Sequence, residues 1–277
     1  MDVEEQQNQA EGLKENLKNI KHKILVMSGK GGVGKSTVAV NVAYYLAQKG
    51  NRVGILDVDI HGPNVAKMLG IDQKKITFSE DKMIDPVSVF PNLKAIGISM
   101  FLNNIDQPLI WRGPRKFSTI QQLLKDVYWG PLDYLVIDSP PGTGDEPLGV
   151  CQLIPDINGA VIVTTPQEVA ILDSRKSIMF TRAINVPVLG IIENMSGFVC
   201  PHCQKAVMLF GQGGGEAAAY DLHVPFLGRI PIDPRIVIGC DSGKPFIESQ
   251  TECPSAKAMV EIIDNIGVQL KNGIKKT

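Results

Sequence analysis

Ser28-Gly29-Lys30-Gly31-Gly32-Val33-Gly34-Lys35-Ser36-Thr37 is the stretch that decides the fold. It fits the pattern G-x-x-x-x-G-K-[ST] and carries a second lysine, Lys30, directly after the first glycine. Ile24-Leu25-Val26-Met27 before it reads as a buried strand, and the apolar run from Val38 to Leu46 after it reads as a helix. That context separates a phosphate-binding loop from an ordinary Gly-rich turn. Glycines let successive backbone N–H groups converge on phosphate oxygens, and the helix N-terminus adds partial positive charge. Lys35 is predicted to reach the β- and γ-phosphates, and the Ser36 hydroxyl to ligate Mg²⁺. Gly29, Lys30, Gly31, Gly32, Val33, Gly34, Lys35, Ser36 and Thr37 therefore form a candidate nucleotide-binding loop.

Outward from the loop, short apolar runs alternate with helical patterns. Strands are predicted at 24–27, 53–58, 93–98, 134–138, 159–163, 188–193 and 226–230, and helices at 38–49, 116–127, 174–184, 214–220 and 253–270. Continuous Val/Ile/Leu strands interleaved with helices imply an α/β fold with a mostly parallel sheet covered on both faces. With no repeat, linker or shift in composition, the expected organisation is a flexible tail over residues 1–20, one domain over 21–270 and a basic tail over 271–277. Ligands of such sheets bind beyond the C-terminal strand ends. Polar clusters at 28–37, 57–64, 138–146 and 194–203 stand at four of those ends.

Three clusters carry further chemistry. Tyr134-Leu135-Val136-Ile137-Asp138 is an apolar strand ending in a carboxylate suited to holding Mg²⁺, usually through water. The Ser139-Pro140-Pro141-Gly142-Thr143-Gly144 run after it combines rigidity with freedom, as a γ-phosphate sensor needs. Asp57-Val58-Asp59 ends the second strand; its two carboxylates are expected to face apart, with Asp59 the candidate for orienting the attacking water. Cys200-Pro201-His202-Cys203 can bind one metal or cluster edge or form a redox pair, with His202 a possible further ligand. No second C-x-x-C exists, so a four-thiolate site for Zn²⁺ or an iron–sulfur cluster needs two more ligands, which a symmetric dimer would supply. Cys151 is expected to pack in the core, and Cys240 and Cys253 receive no role.

Composition narrows the partners. Of 277 residues 44% are hydrophobic, enough for a sizeable core, and the formal net charge of −1 gives no signature of nucleic-acid binding. No apolar run reaches the roughly 18 residues of a membrane span, and the polar, acidic start does not resemble a signal peptide. The expectation is a cytoplasmic protein with reduced thiols, without membrane or nucleic-acid partners.

The two-lysine loop, Asp57-Val58-Asp59, Asp138-Ser139-Pro140-Pro141-Gly142-Thr143-Gly144-Asp145 and Cys200-Pro201-His202-Cys203 together resemble the Mrp/NBP35 family, within the MinD/ParA-like group of deviant Walker A proteins. Trp111-Arg112-Gly113-Pro114 and Glu193-Asn194-Met195-Ser196 also match its pattern. The resemblance implies a P-loop ATPase that carries iron–sulfur clusters and delivers them to apo iron–sulfur proteins. By that resemblance Lys30 reaches the partner protomer's phosphates in a homodimer, Asn194 reads the adenine, and Pro231 and Asp233 flank the base. Cys200 and Cys203 would bridge a [4Fe–4S] cluster between protomers, with ATP and Mg²⁺ at the loop. A membrane- or DNA-bound spatial regulator of the MinD/ParA kind and a zinc-stabilised dimeric ATPase are the alternatives.

Overall fold

The computed structural model describes residues 16–79, 83–101, 113–200, 202–203, 205–249 and 252–272. Trp111, Arg112 and Pro201 lie outside them. The first strand, β1 (Ile20–Ser28), feeds the glycine loop and helix α1 (Lys35–Gln48). Next come β2 (Val53–Asp57), α2 (Val65–Met68), a two-stranded ribbon of β3 (Thr77–Phe78) and β4 (Ile84–Asp85), then β5 (Val87–Phe90) and β6 (Leu93–Gly97). Helix α3 (Gly113–Asp126), β7 (Leu132–Asp138), α4 (Asp145–Leu153), β8 (Gly159–Thr164) and α5 (Glu168–Ala183) follow. The chain continues with β9 (Val188–Val199), β10 (Ala206–Val207), α6 (Gly214–Asp221), β11 (Phe226–Ile232), α7 (Pro234–Asp241), α8 (Phe246–Ser249) and α9 (Pro254–Lys271).

The main sheet has nine strands in the order β10-β9-β8-β1-β7-β2-β6-β5, with β11 also paired to β9. The β1, β2, β6, β7, β8, β9 and β11 pairings are parallel; only β5 and β10 run antiparallel to their neighbours. Alternation along β1 divides the core: Ile24 and Val26 pack with α1 and α9, while Leu25 and Met27 face the layer that holds Trp129 and Ile178. Each such side chain contributes roughly 1.5–3 kcal/mol by leaving water. Every residue of β2 and of β8 is buried, the pattern of strands covered on both faces.

All seven expected strands and five expected helices form, with ends shifted by a few residues. One shift matters for the site: β9 does not stop at residue 193 but runs to Val199 and folds back as β10, so the expected polar end at 194–203 is largely a strand and hairpin. Folded structure also reaches into the stretch assigned to the flexible tail. Leu17 is fully buried, and the Asn16 side-chain amide donates to the carbonyls that end α3. Among the described residues no helix is long and apolar enough to cross a membrane.

Candidate nucleotide and cysteine sites

The parallel register brings the chemistry to one edge, where Asp57 stands beside Asp138 and β1 lies on the other side of β7. Gly34 sits at φ 89°, a left-handed turn that starts α1 without a side chain in the way. The loop then opens onto a cleft of about 330 Å³ whose lining includes Gly31, Gly32, Lys35, Ser36, Asp59 and Pro141. A Cβ added at Gly31 or Gly32 would meet nothing within 4 Å, so this backbone faces open space.

Lys35 is the electrostatic centre of the cleft. Its ammonium lies 2.6 Å from Asp138 Oδ1 and 3.3 Å from Asp59 Oδ2, with Ser36 Oγ at 3.4 Å. Burial alone would lower its pKa, but the Asp138 and Asp59 carboxylates outweigh burial and hold it above the ordinary lysine value. Burial raises the Asp138 carboxyl despite the pull of Lys35 and Ser36. Asp57 rises well above the usual carboxylate range, first from burial and then from Asp138 beside it. Asp138 Oδ2 is buried with no hydrogen-bond partner among the described residues. An orphaned carboxylate oxygen beside a lysine, a hydroxyl and an open glycine cradle fits a hydrated Mg²⁺ with a polyphosphate.

The expectation that Asp57 and Asp59 face apart is overturned. Positions two apart share one face of a strand, and the chain leaves β2 at Asp57, so both carboxylates act on Lys35. Their jobs differ. Asp57 accepts from the N–H groups of Asp59 and Val65, bracing the turn into α2. Asp59 accepts from His61 and Gly62 through Oδ1 and leaves Oδ2 to Lys35 in the cleft. Lys30 is half-buried, and its ammonium has no partner among the described residues.

The base-side residues are placed less simply. Asn194 is nearly buried, and its amide donates to the Val33 carbonyl at 2.9 Å. Asp233 caps α7 by accepting from the Arg235 backbone, and it holds the Arg235 guanidinium through both carboxylate oxygens. That guanidinium keeps the Asp233 carboxyl below its usual value. Neither Pro231 nor Asp233 lines the cleft. The contact with the loop comes instead from the far end of α7, where Cys240 Sγ lies 3.8 Å from Thr37 Oγ1. Sequence reasoning missed this residue, and no local motif marks it.

Cys200 and Cys203 stand in the turn between β9 and β10, where the Cys200 N–H donates to the Lys205 carbonyl at 3.0 Å. Cys203 is exposed and Cys200 partly so. The backbone N–H groups of Cys203 and His202 hold the Cys200 thiol below its ordinary pKa. His202, a possible further ligand, does not join them: among the described residues no group of three His, Cys, Asp or Glu side chains forms. The turn thus offers two thiolates, half of a tetrahedral set. Around it Val199, Val207, Met208, Leu209 and Phe210 are all exposed.

Comparison with known proteins agrees with this layout. The family model described as ParA, NUBPL iron-transfer P-loop NTPase, matches residues 19–267. An iron-sulfur cluster carrier protein of Methanocaldococcus jannaschii is 51% identical over 259 residues, 92% of this chain and 87% of that one. A cytosolic Fe-S cluster assembly factor NUBP2 homolog of Trichoplax adhaerens is 47% identical over 257 residues, covering 91% and 97%. Among solved structures, the nucleotide-binding protein of Archaeoglobus fulgidus in complex with ADP superposes with a TM-score of 0.76 at 39% identity, over 86% of this chain and 92% of that one. The cell division ATPase MinD of Pyrococcus furiosus gives 0.66 at 25% identity, over 89% and 98%. The phosphate loop, the parallel sheet and the extent of the match lead to one assignment: the chain belongs to the NUBPL iron-transfer family of P-loop NTPases.

Proposed function

We propose that this protein is an ATP-dependent carrier of iron–sulfur clusters that receives a [4Fe–4S] cluster between two copies of itself and passes it to apo iron–sulfur proteins. One observation carries the reading: the exposed Cys200/Cys203 turn is a half-complete thiolate site ringed by uncovered apolar side chains, in a chain that also builds a phosphate loop. A second copy supplies the missing two thiolates and covers the apolar rim. The names of the relatives support the cargo.

At the loop, Gly29, Gly31, Gly32, Val33, Gly34 and Thr37 present backbone N–H groups to the phosphates. Lys35 exchanges its two carboxylate partners for phosphate oxygens, which releases Asp138 and Asp59. Ser36 and Asp138 are the residues that would hold Mg²⁺, which would supply charge neutralisation for the phosphates. Asp59 orients the attacking water, and catalysis is mainly positioning with electrostatic stabilisation. Lys30, whose ammonium has no partner among the described residues, reaches the phosphates of the other copy. Asn194 stands at the adenine side, with Pro231 and Asp233 holding α7 as the flank of the base.

Anaerobic reconstitution with iron and sulfide tests the cargo. Wild type is expected to take up both in equal amounts as a dimer, and Cys200→Ala with Cys203→Ala to lose them. A double variant retaining the wild-type content overturns the reading. Zinc in place of iron in protein purified without oxygen makes the chain a zinc-stabilised ATPase.

A further inference from the structure

Two loops besides the glycine loop line the nucleotide cleft. One leaves β2 and contributes Asp59, His61, Gly62 and Asn64; the other leaves β7 and contributes Pro141. They are supported unequally. The β7 loop is tied to β1, where the Ser139 N–H donates to the Val26 carbonyl at 3.1 Å and the Gly142 N–H to the Ser28 carbonyl at 2.8 Å. It then runs into α4, whose Pro147 and Val150 are buried. The β2 loop has no regular structure over residues 58–64. Its start is held, because the Val58 N–H donates to the Asp138 carbonyl and Ile60 is buried. Beyond Ile60 the turn is open to solvent at His61 and Asn64.

A side-chain contact joins the two loops at that point. The His61 Nε2–H donates to Glu146 Oε1 at 3.0 Å across 85 positions of sequence, with the imidazole 60% exposed. Glu146 stands in the first turn of α4, so the contact fastens an open turn to a packed helix. The place of residue 61 matters to Asp59. Asp59 Oδ1 accepts the His61 N–H at 3.2 Å and the Gly62 N–H at 3.3 Å, while Oδ2 meets Lys35 at 3.3 Å. Once phosphate takes Lys35, the Asp59 carboxylate keeps only those two N–H groups among the described residues. It then points wherever its own turn is held.

We infer that His61 is a positioning residue for ATP hydrolysis: through its contact with Glu146 it fixes the turn that aims Asp59. The inference rests on the ATPase reading above and adds to it a pair of residues outside the phosphate-binding motifs. An exposed ion pair contributes little to folding. A reacting group displaced by about 1 Å, in contrast, costs as much as roughly a hundredfold in rate. Loss of the pair therefore belongs in turnover, and not in stability or nucleotide affinity.

The test compares ATP turnover, nucleotide affinity and amide exchange in full-chain variants. His61→Ala, Glu146→Ala and the double variant are each expected to lower kcat about tenfold or more, with the KM for ATP and the Kd for ADP within about twofold of wild type. Because the two residues act as one contact, the double variant is expected to fall no further than either single one. Glu146→Gln still offers an oxygen to the imidazole, and is expected to bring kcat back to within about threefold of wild type. Additive losses, a raised KM with unchanged kcat, or a Glu146→Gln as slow as Glu146→Ala overturn the inference. Hydrogen exchange of the backbone amides over residues 59–64 in the Mg-ADP complex gives a reading that needs no turnover. It is expected to run about fivefold faster in the Ala variants, and exchange equal to wild type overturns the inference. A wild type that hydrolyses no ATP ends the ATPase reading, and the exchange result then decides by itself whether the contact holds the turn.

Discussion

Lys35 is the residue on which the cleft depends, because three carboxylates and no other described cation gather around it. Removing one partner of a buried ion pair strands the others, at about 3–5 kcal/mol. Lys35→Ala is therefore expected to lose roughly 3 kcal/mol in urea denaturation at pH 8. The deficit has a pH signature. Asp57 and Asp138 already sit above the ordinary carboxylate range, and without Lys35 they rise further. A raised carboxyl means the folded state binds more protons, so its stability falls as pH climbs from about 4 through the folded pKa. The loss should be smaller at pH 5 than at pH 8; equal losses would contradict this account. Thiols give a second residue-scale contrast. Burial pushes the Cys151 thiol up to about 12, whereas backbone N–H groups hold Cys200 below its usual value. Iodoacetamide at pH 8 is expected to label Cys200 well before Cys151, because the thiolate is the nucleophile. These roles were unevenly legible. Lys35, Ser36 and Asp138 belong to motifs defined by chain spacing. The Cys240 contact with Thr37 joins residues far apart in sequence and has no spacing to betray it.

Between elements, the loop is seated against α5 as well as against β1. A Cβ on Gly29 would fall 2.3 Å from the Asp173 backbone carbon, so only glycine lets the loop lie on that helix. Gly29→Ala is expected to cost about 1–3 kcal/mol as overpacking and to weaken ADP binding with it. Gly31→Ala makes the complementary case, since its Cβ meets no protein atom and only the ligand side is touched. It should leave the thermal midpoint within a degree or two of wild type and still weaken ADP binding, the two readouts being scanning calorimetry and fluorescence titration. Parallel strands were legible because burial on both faces writes them as unbroken apolar runs. The short elements β3, β4, β5, β10 and α2 were not, since their partly exposed residues carry no such run. The continuation of β9 past Glu193 was hidden for a related reason. Asn194 and Ser196 look like loop residues in sequence, yet Val33 and Glu193 satisfy them inside the fold.

At the scale of the whole molecule, the apolar rim of the cysteine turn and Lys30, without a partner among the described residues, both call for a second copy. Leu209, 57% exposed, is the probe of that surface. Leu209→Glu is expected to leave the stability of the monomer within about 0.5 kcal/mol and to shift cluster-loaded protein from dimer to monomer in light scattering. A dimer of unchanged strength would remove the hairpin from the interface. Lys30→Ala should retain ADP binding and lose hydrolysis; wild-type turnover in that variant would end the claim that Lys30 acts across the dimer. The order of strands has one more effect, on how the protein comes into being. The strand that launches the phosphate loop leaves the ribosome early, yet both its neighbours, β7 and β8, are translated only after residues 132 and 159. A partly synthesised chain therefore carries a complete loop sequence with no sheet to stretch it across. Contacts so distant in sequence form slowly, and a central strand left unpaired meanwhile is open to wrong pairing. The loop therefore cannot be held in its final register until β7 and β8 have both been made.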